Sequence, residues 1–108
     1  MNEAKYTFNS GSRYITRGIN TDMPLEMQVI LWGIIDSLVR GSTTADYLQV
    51  FRFVRDNNEI VITHTQESPE YKKEYRYPMK EEYDNLINRT VFSIDDINHS
   101  TMLWSNEY

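Results

Sequence analysis

His64 and His99, with the adjacent aspartates Asp95 and Asp96, are the residues of this chain best suited to hold a metal ion or move a proton. A zinc site needs three or four such ligands in tetrahedral geometry, usually on a spacing such as a helical HExxH, and no motif of that kind occurs. His64 falls in an alternating strand pattern and His99 in a polar turn, so no metal is assigned to them. Asp96, His99 and Ser100 are the side-chain types of a hydrolase triad. They crowd around one turn, whereas a working triad draws its members from separate elements and needs an oxyanion hole beside the serine. There is no GxSxG elbow and no glycine-rich phosphate loop, since the four glycines are dispersed. Carboxylate pairs are so numerous in an acidic chain that none is singled out. The expectation is a protein that is not an enzyme and uses no cofactor.

The remaining polar patterns concern binding. YKKEYRY, residues 71–77, mixes the aromatic and basic residues on which single-stranded nucleic acid stacks and is held. Strand alternation divides them, however, with Tyr71, Lys73, Tyr75 and Tyr77 on one side and Lys72, Glu74 and Arg76 on the other, which is the pattern of a strand with one solvated face. A formal charge of -5 and a pI near 4.9 also oppose binding to polyphosphate, which is driven by lysine and arginine displacing counterions. Direct nucleic-acid binding is therefore not expected. Residues 81–108 hold six acids against Arg89, a balance of -5 equal to that of the whole chain. Should Glu81, Glu82, Asp84, Asp95 and Asp96 share a face, their field would attract a basic partner, and these five are the candidate partner-binding residues.

These residues must be positioned by a small set of elements. The chain has 108 residues, enough for one core. Residues 21–41, TDMPLEMQVILWGIIDSLVRG, predict one long helix capped by Asp22, with Pro24 in its first turn, Arg40 near its negative end and Gly41 as a left-handed stop. Its apolar residues leave a narrow polar stripe of Glu26, Gly33, Ser37 and Arg40, so it is expected to be buried around most of its circumference. Gln28, Asp36 and Ser37 interrupt it, and it falls short of the ~20 apolar residues of a membrane span. The opening MNEAKYTFNSGS has no apolar segment of a signal peptide, and the chain contains no cysteine, so a cytoplasmic protein without disulfides is expected.

Alternation predicts strands over residues 14–17, 47–55, 59–66, 70–77, 90–95 and 101–105, with a hairpin turn at Asp56, Asn57 and Asn58. The 47–55 strand has apolar groups on both faces and should be central. Residues 80–88 fit a short helix or an irregular loop. The fold class is α+β, a mostly antiparallel sheet of about five or six strands packed against one long helix. Residues 1–12 form a polar N-terminal arm, and residues 13–108 a single domain.

RYITRG from Arg13, PLEMQ from Pro24, Trp32 with Asp36, DYLQVF from Asp46, PEYKKEY from Pro69, IDD from Ile94 and HSTML from His99 together resemble a family of small proteins of Gram-positive bacteria and their phages, domain-of-unknown-function family 960. The blocks span residues 13–108 in the same order. The resemblance implies a protein often carried by phages or other mobile elements, with no catalytic residues to transfer. Three functions are thus expected in turn: a non-catalytic protein-binding module that inhibits or adapts a host protein; an acidic mimic of nucleic acid that blocks a nuclease or a CRISPR-type defence complex; and an enzyme or ligand-binding domain whose site is assembled from distant residues.

Overall fold

Runs of β-branched and aromatic residues at alternate positions build a six-stranded sheet in this computed structural model, which describes residues 6–108. The elements are β1 (Arg13–Ile15), α1 (Arg17–Asp22), α2 (Leu25–Arg40), β2 (Leu48–Asp56), β3 (Glu59–Gln66), β4 (Tyr71–Pro78), β5 (Thr90–Asp95) and β6 (Ser100–Trp104), with short 3-10 turns at Ser10–Ser12, Glu81–Leu86 and Ser105–Glu107. Strand order is β1-β6-β5-β2-β3-β4; β1 runs parallel to β6 and every other pair is antiparallel. β2 is internal, as its two-sided apolar pattern predicts. No helix of the described residues is long and apolar enough to cross a membrane.

The single long helix is corrected by the structure. Met23 is extended and Pro24 stands at the N-cap with φ -57° and ψ 146°, because a helical Met23 would clash with the proline ring. Asp22 therefore closes α1 instead of capping α2, and α1 is capped by Thr16, whose hydroxyl oxygen accepts from the Ile19 N–H at 3.3 Å. Gly18 lies inside α1, where the carboxylate of Glu107 leaves no room for a Cβ. Gly41 is extended, at φ -83° and ψ -165°, and not left-handed.

Burial around α2 is also narrower than the sequence suggests. Met27, Gln28, Leu31, Ile34, Ile35 and Leu38 are buried, while Leu25 and Val29 are 73% and 62% exposed. The buried stripe packs with Ile19 onto Phe51 and Phe53 of β2, Ile60 and Ile62 of β3, Val91 of β5, and Met102 and Trp104 of β6. Phe8, assigned by sequence to a polar arm, is fully buried in the same core. The segment around it is held by Arg13, which donates to the Phe8 carbonyl at 2.6 Å, pairs with Asp36 and lies over the Trp32 ring at 4.7 Å.

Candidate functional site

The chemistry-bearing residues fall into three separate settings. The first is the end of the core beneath residues 44–47. His64 is fully buried on β3, stacked on Phe51 with ring centroids 4.6 Å apart and met edge-on by Tyr71. Its Nε2 lies 2.6 Å from Gln49 Oε1. An amide oxygen only accepts, so Nε2 carries the proton and Nδ1, which has no partner, does not. Gln49 donates to Gln66 at 2.8 Å and to the Asp46 carbonyl; Gln66 donates in turn to the carbonyls of Thr44 and Pro69. Burial pushes the His64 pKa down to about 4, which keeps the ring neutral near pH 7. Enclosed by two aromatic rings, it is turned into the core and anchors residues 44–46 and Pro69 through Gln49 and Gln66.

The second setting holds His99, Asp95 and Asp96, which sequence grouped as a possible metal or triad cluster. Asp95 is 4% exposed; Oδ2 accepts from the Phe8 N–H at 3.1 Å, and Oδ1 from the Ile97 N–H and the Ser100 hydroxyl. Asp96 folds the β5–β6 turn by accepting from the N–H groups of Asn98 and His99, and its other oxygen lies 3.2 Å from His99 Nε2. Ser100 is thus turned to Asp95 and away from His99, so the three residues form no relay. Among the described residues no group of three or more His, Cys, Asp or Glu side chains is placed to hold a metal.

Glu81, Glu82 and Asp84 are exposed on the Glu81–Leu86 turn, which adjoins the Thr90 end of β5, because the Asn88 N–H binds the Phe53 carbonyl at 2.8 Å. Asp95 and Asp96 lie at the other end of that strand, about 17 Å away at about 3.3 Å per residue. The five acids expected to share one face therefore do not: three are exposed together, Asp95 is buried, and Asp96 is committed to its turn. Nor do the basic residues converge. Arg76 is bound by Asp56, Glu59 and Glu74, and Lys80 by Glu26, while Lys72 and Lys73 point to opposite sides of β4.

The third setting is the face of the sheet turned away from the helices. The cross-strand registers define its rows. Tyr14, Thr101, Ile94 and Leu48 form one; Leu103, Phe92, Val50, Thr65 and Lys72 form the next; Thr90, Arg52, Thr63 and Glu74 form a third; and Val54, Val61 and Arg76 a fourth. Leu103 and Val61 are buried by neighbours on this face and lie outside the helix-side core. The C-terminal Tyr108, 79% exposed, meets Phe92 edge-on at 5.7 Å. The first two rows are mostly apolar and the third is polar. The two-sided apolar pattern of β2 points to this face; for Phe92, Ile94 and Leu103 the signal is their alternation with Ser93 and Met102, which the strand assignments do not use.

The architecture is that of an α+β protein whose sheet is covered by helices on one side. The chain belongs to the family described as "Staphylococcal protein of unknown function (DUF960)", whose profile matches residues 12–107. It is similar to the chain in "Crystal structure of the protein of unknown function from Enterococcus faecalis", with TM-score 0.79 and 23% identity over 100% of this chain and 98% of that one. At that identity the likeness is one of fold. A search of the curated proteins finds no match.

Proposed function

We propose that this is a cytoplasmic, non-catalytic protein-binding module, in the phage or mobile-element setting that the family resemblance implies, and that it meets its partner with the uncovered sheet face. The supporting observation is the pair of apolar rows centred on Phe92 and Val50, flanked by Arg52 and Lys72, two cations with no salt bridge among the described residues. An apolar centre with a charged rim is the usual anatomy of a protein interface. Five strand spacings of about 4.8 Å by about 20 Å of strand give on the order of 500 Å² in projection, comparable in scale with one side of a standard interface. The partner that fits is a protein surface with an apolar centre and carboxylates set to meet Arg52 and Lys72.

Affinity capture from host lysate tests this with three baits: the natural chain, Phe92→Lys, and a triple charge reversal of Glu81, Glu82 and Asp84 to lysine. The expected result is one partner retained by the natural chain and the triple variant and lost by Phe92→Lys. Capture unchanged in Phe92→Lys, or no partner at low salt, refutes the reading. Loss in the triple variant alone would replace it with the acidic mimic of nucleic acid.

A further inference from the structure

One edge of the sheet is the three-residue β1, and the other is the eight-residue β4, which among the described residues has a neighbour only on its β3 side. The groups β4 offers follow from the β2–β3 hairpin. With a two-residue loop, the opposed Asp56 and Glu59 exchange both backbone hydrogen bonds, so Ile60 and every second residue after it turn towards β4. Their partners Tyr77, Tyr75, Lys73 and Tyr71 bond inward, as does Met79, whose N–H binds the Asn58 carbonyl at 2.7 Å. Lys72, Glu74 and Arg76 are left with their N–H and C=O groups directed outward, together with the Pro78 carbonyl.

We propose that this edge is a self-association surface, on which β4 of a second copy of the chain pairs antiparallel with Tyr75 opposite Tyr75. A twofold pairing can be centred on any residue from Lys73 to Arg76, and the charges select among these. Centred on Glu74, that carboxylate faces its own copy and Lys72 faces Arg76; centred on Lys73 or Arg76, the central cation faces itself. Like charges directly opposed are destabilising. Centred on Tyr75, Glu74 lies opposite Arg76 of the second copy, and Arg76 opposite its Glu74. Lys73 lies opposite Tyr77 on the helix side, where its Nζ already sits 5.2 Å from the Tyr75 ring centroid.

The Arg76 guanidinium is preset for this exchange. Its Nε is bound to Glu74 and its Nη1 to Asp56 and Glu59, which leaves Nη2 for an incoming carboxylate. Two backbone bonds at each Glu74–Arg76 pair and one at each Lys72–Pro78 pair give about six in all, since proline lacks an N–H. Lysine and proline on an edge normally deter pairing. In this register they oppose Tyr77 and each other across the axis, so the same residues exclude other strands and admit this one.

Sedimentation velocity on the full chain, from micromolar to several hundred micromolar, reads the mass directly. The natural chain should approach twice 12.9 kDa as concentration rises. Glu74→Arg and Arg76→Glu should each remain at the monomer mass, because each sets like charges opposite one another. Mixed in equal amounts, they should restore the doubled mass, since the arginine introduced into one chain then faces the glutamate introduced into the other. Near-UV circular dichroism establishes that both variants are folded; should either fail, Glu74→Pro, which removes an outward N–H together with the carboxylate that faces Arg76, takes its place as the dissociating variant. A natural chain that stays monomeric throughout overturns the proposal and leaves Lys72, Lys73 and Pro78 as guards. So does doubling that survives Glu74→Arg, or doubling lost in Phe92→Lys but kept in Glu74→Arg, which would assign self-association to the uncovered face.

Discussion

Acidification should weaken the fold through His64 before the carboxylates titrate. Burial favours the neutral ring, so the folded-state pKa, about 4, lies below the 6.5 of the unfolded chain. Between those values the unfolded chain binds a proton that the folded chain refuses. Stability is therefore fully present above pH 6.5 and is lost progressively as pH falls towards 4. At about 1.36 kcal/mol per pKa unit the full loss is about 3 kcal/mol, of which about 2 kcal/mol has gone by pH 5. Against a domain stability of roughly 5–15 kcal/mol this is large. A proton on Nδ1 would place a cation between Phe51 and Tyr71 with no acceptor, and the Gln49–Gln66 bonds that tie down Thr44, Asp46 and Pro69 depend on the same ring staying in place.

Urea unfolding over this range, on the natural chain and on His64→Gln, isolates the effect. Glutamine keeps an N–H that can donate to Gln49 and has nothing to titrate. It loses the stack on Phe51 and should be less stable at every pH, but its profile should be flatter by about 2 kcal/mol between pH 7 and pH 5. Every other side chain is common to both proteins. Parallel profiles would refute the reasoning, since they would mean that the His64 ring takes up its proton as readily folded as unfolded.

Two further outcomes are expected. Phe8→Ala should cost about 3–5 kcal/mol in urea unfolding, because the ring is fully buried and its loss leaves a cavity; a cost below about 1 kcal/mol would remove residues 6–12 from the core. Ile97 is β-branched and sits at φ 81°, so Ile97→Gly should relieve strain and raise stability by about 0.5–1 kcal/mol, read as an upward shift in Tm; a downward shift would refute strain at this turn.

The strands were legible because their signal is local. Glu59–Gln66 and Thr90–Asp95 are rich in β-branched residues, and their predicted bounds match the structure residue for residue. α1 was not legible, since Gly18, Asn20, Thr21 and Asp22 are all weak helix formers. It forms because Ile19 is buried against the core and Thr16 donates to Glu107 at 2.8 Å, a contact 91 residues away in the chain. Phe8 is a single aromatic in a polar segment, with no period to betray it. The acids do not group for a related reason: Asp95 and Asp96 are adjacent in sequence, but Asp95 ends β5 with its side chain buried and Asp96 opens the turn in solvent.

The uncovered face gives the strongest argument that the exterior carries function, because it contains its own control. Thr90, Arg52, Thr63 and Glu74 form an outward row that is polar throughout. One row along the same strands, with the same pleat and the same absence of a covering helix among the described residues, Leu103, Phe92 and Val50 stand in line. Strand propensity does not separate the two rows, since threonine serves a strand as well as valine does. Nor does the core, because none of these side chains reaches it. Phe92 and Val50 stay half-buried on an open sheet, and apolar surface of that kind invites association. The proposed binding role accounts for the contrast between adjacent rows: a protein surface would cover the apolar rows and leave the polar row at its margin.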